Sequence, residues 1–194
     1  MGSPSKAGGL ASAIKDQLAL ISLLVLFAGF VSTDTYYAAF GLRFQLLDLS
    51  IEHLMYRGIT ALVTSWVLAP AYLIAVIWLA IGPNLIVQVD KSSAVAAQAI
   101  TYGIVFAATV IAYFGGIMAG REAASEDILQ SSSHLPVIQT IKNVQGGVLP
   151  FAGDRLLMYG KDQVVVFRAV LGPAEQPFIH ILKGDDVGEI VVLR

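Results

Sequence analysis

The side chains that could do chemistry in this chain are few and scattered. Glu52 and His53 are the one place where a carboxylate and an imidazole adjoin. Such a pair could relay a proton or hold one side of a metal ion. A metal site needs further ligands at matching spacing, and no second ligand pair stands at helical spacing nearby. The pair therefore reads as part of a solvated polar face. His134 and His180 lie in different elements without a partner motif. Asp185 and Asp186 could attract a divalent ion, but adjacent acids after Gly184 are ordinary turn chemistry. Ser131–Ser133 has no paired base. The chain holds no Gly-rich phosphate loop, no G-x-S-x-G and no H-E-x-x-H. No catalysis, cofactor or metal is expected.

Composition says where the chain lives. Over 194 residues it is 56% hydrophobic and only 13% charged, about half the usual charged share of a soluble domain. Mean hydropathy is +0.73. Net charge is −2 with no basic block, which argues against nucleic acid as a partner, because phosphate binding needs clustered Lys and Arg. Cysteine is absent, so there is no disulfide and no thiolate ligand. The first apolar run lacks a small-residue cleavage site, so a cleaved signal peptide is not expected.

Three charge-free runs, Gln17–Thr33, Gly58–Val89 and Ser92–Gly120, can each cross a hydrocarbon core. A backbone in lipid must satisfy its own polar groups, so each should be helical. Three transmembrane helices are expected over about 17–35, 59–83 and 95–120. Pro70 removes a backbone hydrogen bond inside the second and should kink it. Between the first two, Phe40, Phe44, Leu47, Ile51 and Leu54 recur at spacings of 4, 3, 4 and 3. Arg43, Asp48, Glu52, His53 and Arg57 occupy the other surfaces. An amphipathic helix lying at the membrane interface is expected over 38–57.

The third span has one face of small residues. Ala108, Ala112, Gly116 and Gly120 fall four apart, with Gly103 and Ala107 extending the groove. In lipid such a groove brings two helices close enough for van der Waals contact to hold them. It either seats another span of the same chain or joins copies of span three around an axis. Glu122, Glu126 and Asp127 follow directly and read either as the acidic mouth of a cation pore or as a plain solvated helix end.

After Gly120 the texture changes. Residues 121–136 are polar, with three serines and then Pro136, and read as a helix end and linker. From 137 to 194 the chain is rich in β-branched and aromatic runs. A hairpin is expected around Tyr159–Asp162 and another turn at Gly184–Asp186. Five short strands predict a small all-β barrel, SH3-like or Sm-like. A domain of this size has a thin core and should lean on the membrane part or on neighbouring copies.

The fold class expected is thus a membrane α-helical bundle with a small C-terminal all-β domain. Its layout resembles that of small mechanosensitive channels, in architecture alone. The resemblance implies a last span that lines a pore and a β domain that closes a ring. The leading expectation is an oligomeric membrane protein, in lipid and with itself as partner, that forms or gates a pore. The alternative is a non-conducting accessory or sensor subunit of a larger complex, of the kind used in bacterial stress or phage defence, whose β domain docks a partner. Lys6, Lys15 and Lys91 on one side balance Arg43, Arg57 and Arg121 on the other, so positive charge does not orient the chain. A bacterial inner membrane with the β domain in the cytoplasm is expected.

Overall fold

A computed structural model describes residues 6–43, 49–64, 70, 73–74, 77–78, 94–129, 131, 133–160, 162–172, 175 and 177–193. The helices are α1 (Lys6–Ala39), α2 (Ile51–Thr64) and α3 (Ala94–Ile128). The strands are β1 (Val137–Asn143), β2 (Val148–Leu149), β3 (Arg155–Tyr159), β4 (Gln163–Arg168), β5 (Phe178–Lys183) and β6 (Val187–Leu193). Two helices are long and apolar enough to cross a membrane, over Leu18–Ala39 and Gln98–Ile128. Only 33% and 28% of these stretches is buried within the chain, so most of their apolar surface is left for lipid or protein to cover. The second expected span lies largely outside the described residues. Pro70 itself is helical, but the kink expected there rests on 65–69 and 71–72, which are also outside them.

A single helix over 38–57 does not form. Gly41 adopts φ +70, a left-handed conformation that glycine enters without a Cβ penalty. Its N–H donates to the Ala38 carbonyl at 2.9 Å, and the Leu42 N–H donates to the Tyr37 carbonyl at 3.0 Å. This paired geometry closes α1 and satisfies its last carbonyls. A fresh helix starts at Ile51, where the Ser50 hydroxyl accepts from the His53 N–H at 3.3 Å as an N-cap. Of the apolar stripe that runs from Phe40 to Leu54, Phe40 lies just past the end of α1, and Ile51 and Leu54 lie in α2. Phe44 and Asp48 lie outside the described residues.

The chain divides into two compact units. The first comprises Met1–Thr35 and Leu49–Gly120; the second comprises Tyr36–Asp48 and Arg121–Arg194.

In the first unit α1 is the shared partner of α2 and α3. Ala28 is fully buried in one cluster with Leu62 of α2 and Ala112 of α3, and Leu24 packs with Ala108. Gly29 of α1 and Gly58 of α2 lie against each other's backbones. A Cβ on Gly29 would overlap the Leu54 carbonyl, and one on Gly58 would overlap the Val25 carbonyl.

In the second unit the strands form one curled antiparallel sheet, a half-barrel. β4 lies between β3 and β5, and β1 takes β6 along one edge and β2 and β3 along the other. Six strands form where five were expected, because the chain after β1 folds back as the two-residue β2. The hairpin around residue 160 is present, with the Gly160 N–H donating to the Gln163 carbonyl at 2.9 Å. A 3-10 turn at Gly184–Asp186 links β5 to β6. Inside the curl, Ile138, Ile141, Phe151, Val164 and Val166 make the core. Side chains alternate along a strand, so Val165 and Phe167 point to the opposite face. Both are nonetheless fully buried. Phe40 covers that face, its ring 5.0 Å from that of Phe167 and 5.3 Å from that of Tyr36. Tyr37, Leu42 and Ala124 are buried in the same unit. The ends of α1 and α3 therefore belong to the β unit's own packing.

Candidate functional site

The small face of α3 meets α1 of the same chain. A Cβ on Gly116 would lie 2.8 Å from the Ala28 carbonyl oxygen, and one on Gly120 would lie 2.5 Å from that of Ser32. Ala108 and Ala112 are fully buried on the same side. Four residues of the expected seam thus serve one helix–helix contact within the chain. Gly103 differs. It is exposed, and nothing among the described residues comes within 4 Å of a Cβ placed on it.

The three acidic residues at the end of α3 have different surroundings. Asp127 ties two elements of the β unit together: the Tyr36 hydroxyl donates to its Oδ2 at 2.8 Å, and the His134 N–H donates to its Oδ1 at 3.3 Å. Glu122 and Glu126 are exposed. At the end of α3 the Ile128 carbonyl accepts from the Val170 N–H, just past β4, at 3.0 Å.

Glu52 and His53 occupy the first turn of α2. The backbone N–H of Glu52 and the Ser50 hydroxyl hold the Glu52 carboxyl below its usual range. Burial, and then the Arg57 charge one turn on, push the His53 imidazole below its ordinary value. Its Nε2 is buried and has no hydrogen-bond partner among the described residues. Both effects favour the neutral form of the imidazole. Arg43 is exposed, and Arg57 is half-buried. Among the described residues no group of three or more His, Asp or Glu is close enough to hold a metal ion.

One polar constellation was missed by sequence reasoning. Asp154 is buried, and its side chain is only 2% exposed. Its Oδ1 accepts from Arg168 Nε at 2.9 Å, and the Arg168 side chain is 66% exposed. The Asp154 backbone is pinned as well. Its carbonyl accepts from the Ile138 N–H at 2.7 Å, and Gly153, at φ +90, donates to the Ile138 carbonyl at 2.9 Å. Arg155 Nη1 donates to the Leu135 carbonyl at 2.7 Å and to the Ser133 carbonyl at 3.3 Å, holding the segment before β1. These groups line an open cleft of about 500 Å³. The one sequence signal was Gly153–Asp154–Arg155, which reads as a plain turn until β4 brings Arg168 beside it.

The pair is asymmetric, and so is the expected cost of breaking it. Arg168→Met leaves a buried carboxylate without the one side-chain partner it has among the described residues, which should cost about 2–3 kcal/mol. Asp154→Asn leaves a cation that water already reaches, and should cost under about 1 kcal/mol. Denaturant unfolding of the two variants checks the order. Equal costs would mean the carboxylate is not the dependent partner.

Comparison of the chain with family models, with curated proteins and with solved structures finds no match to any of them.

Proposed function

We propose that the chain is an integral membrane protein acting as a non-conducting accessory or sensor subunit, with the half-barrel as its recognition module. The observation that carries this reading is the use of α3's small face. Gly116 and Gly120 are spent on α1 of the same chain, so they are not available to pack copies of α3 around a pore. The apolar surface left on α1 and α3 is made of large side chains, among them Phe30, Phe106, Phe114 and Met118, which suit lipid or a partner's helices. Two long apolar helices support placement in a membrane, and a third span over 59–83 fits the composition of that stretch. The half-barrel is read as SH3-like, from the five-strand path β6-β1-β3-β4-β5 and the 3-10 turn before its last strand. A bacterial inner membrane, with this module in the cytoplasm, remains the proposed setting. No catalytic role is proposed.

The pore reading keeps one observation in its favour. Gly103 and Ala107 are exposed, leaving the start of the small face open. A homo-oligomer built there would be blocked by Gly103→Leu.

The deciding experiment is the mass of the protein after mild extraction from native membranes into nanodiscs. An accessory subunit is expected to emerge with a stoichiometric partner and to give no ion flux when reconstituted. A closed homo-oligomer that conducts, and that Gly103→Leu disperses, would overturn the reading in favour of the pore.

A further inference from the structure

We propose that the cleft beside Asp154 and Arg168 binds a phosphate group carried on an apolar body. A guanidinium has five N–H donors in a fixed planar fork. Asp154 accepts from Nε alone, at 2.9 Å. The Nη1 and Nη2 edge has no acceptor among the described residues, while the side chain stays 66% exposed. That edge matches two oxygens of one phosphate, through two parallel N–H···O bonds. Because Asp154 is buried and its backbone is tied to β1, the fork is oriented before any ligand arrives. The entropy of ordering a long side chain is thereby largely removed from binding.

The charges of the cleft point the same way. Arg155, Arg168 and Asp154 line it, and with Arg155 engaged by the Leu135 and Ser133 carbonyls the exposed cation of the cleft is Arg168. Around them the wall is apolar, with Val137, Ala152 and Leu171, and the Leu171 side chain is among the most exposed large apolar groups of the chain at 84%. A volume of about 500 Å³ suits a small ligand rather than a bare ion. A phosphate with an apolar portion satisfies the fork, the charge and the wall together. A lipid headgroup and a soluble phosphate ester share this chemistry.

The test is calorimetric titration of the full chain in a maltoside detergent with three probes: inorganic phosphate, dihexanoyl phosphatidic acid below its micelle concentration, and hexanoate. Saturable binding of the phosphatidic acid is expected, tighter than that of inorganic phosphate. Binding confined to the acylated probe identifies a lipid source. Inorganic phosphate binding as tightly as the phosphatidic acid would show that the apolar wall adds nothing and would overturn the proposal. Arg168→Lys keeps the charge and the stem but loses the fork, and should weaken binding about tenfold while the melting temperature stays near that of the parent. Lys183→Gln, which removes a positive charge elsewhere on the sheet, should change affinity by less than about twofold. Absence of saturable binding by both phosphate probes would overturn the proposal. So would hexanoate binding as tightly as the phosphates, or Arg168→Lys binding like the parent.

Discussion

Gly58→Ala is expected to destabilise the helical unit by at least about 3 kcal/mol, although alanine is the better helix former by about 1 kcal/mol. The added methyl group would overlap the Val25 carbonyl of α1, and Gly29 faces the Leu54 carbonyl in the same way. Overpacking is usually softened when a flexible side chain moves aside. Here the obstacle is backbone, so the two helices must separate, and the contacts of Ala28 with Leu62 go with them. Gly103→Ala provides the opposite sign. Nothing among the described residues approaches that position, so only the helix preference acts, and a gain of about 0.5–1 kcal/mol is expected. Unfolding in mixed micelles, followed by circular dichroism, reads both. The Gly29→Ala, Gly58→Ala double variant should lose less than the sum of the singles, since helices already parted have no second clash to suffer. Gly58→Ala and Gly103→Ala shifting stability in the same direction would refute the close crossing.

That crossing was not legible in the sequence, whereas the α3 groove was. A groove announces itself when small residues repeat every fourth position, as Ala108, Ala112, Gly116 and Gly120 do. The α1–α2 contact needs one glycine from each helix, and a single glycine in an apolar run has no period. Its partner is identified only in three dimensions. The end of α1 was hidden for a different reason. Apolar spacing continues past Gly41, so periodicity alone joins Phe40 to Leu54, while the left-handed glycine that breaks the helix is a single residue. The sheet was easier, because β-branched runs and their turns are local signals: the Tyr159–Gln163 hairpin and the Gly184–Asp186 turn stand where those runs place them. Asp154 and Arg168 were not read as a pair because they are 14 residues apart, one just before β3 and the other at the end of β4, and the pairing of those strands brings them together. Likewise Val165 and Phe167 lie on the strand face that alternation would give to solvent, and nothing nearby in sequence says what covers it.

What covers it leads to the second large effect. Phe40→Ala is expected to cost the β unit about 3–5 kcal/mol, the usual range for deleting a buried phenyl ring. Phe40 is 2% exposed, and its ring packs on Phe167, which is fully buried. The residue sits about 100 positions before the first strand, so its loss would not register if the β unit began at residue 137. A marginal core of this size has little stability in reserve, and several kcal/mol is a large share of it. Limited proteolysis and thermal unfolding of the full chain should therefore show β1–β6 opening earlier in Phe40→Ala. The isolated segment 137–194 should bind a hydrophobic dye and unfold without a cooperative transition, because Val165 and Phe167 would face water. If that segment melts cooperatively and Phe40→Ala moves the unit by less than about 1 kcal/mol, the ends of α1 and α3 serve only as tethers. If instead both losses appear, the half-barrel is built on the helix ends, and a ligand or partner held by the sheet also bears on the residues that continue into α1 and α3.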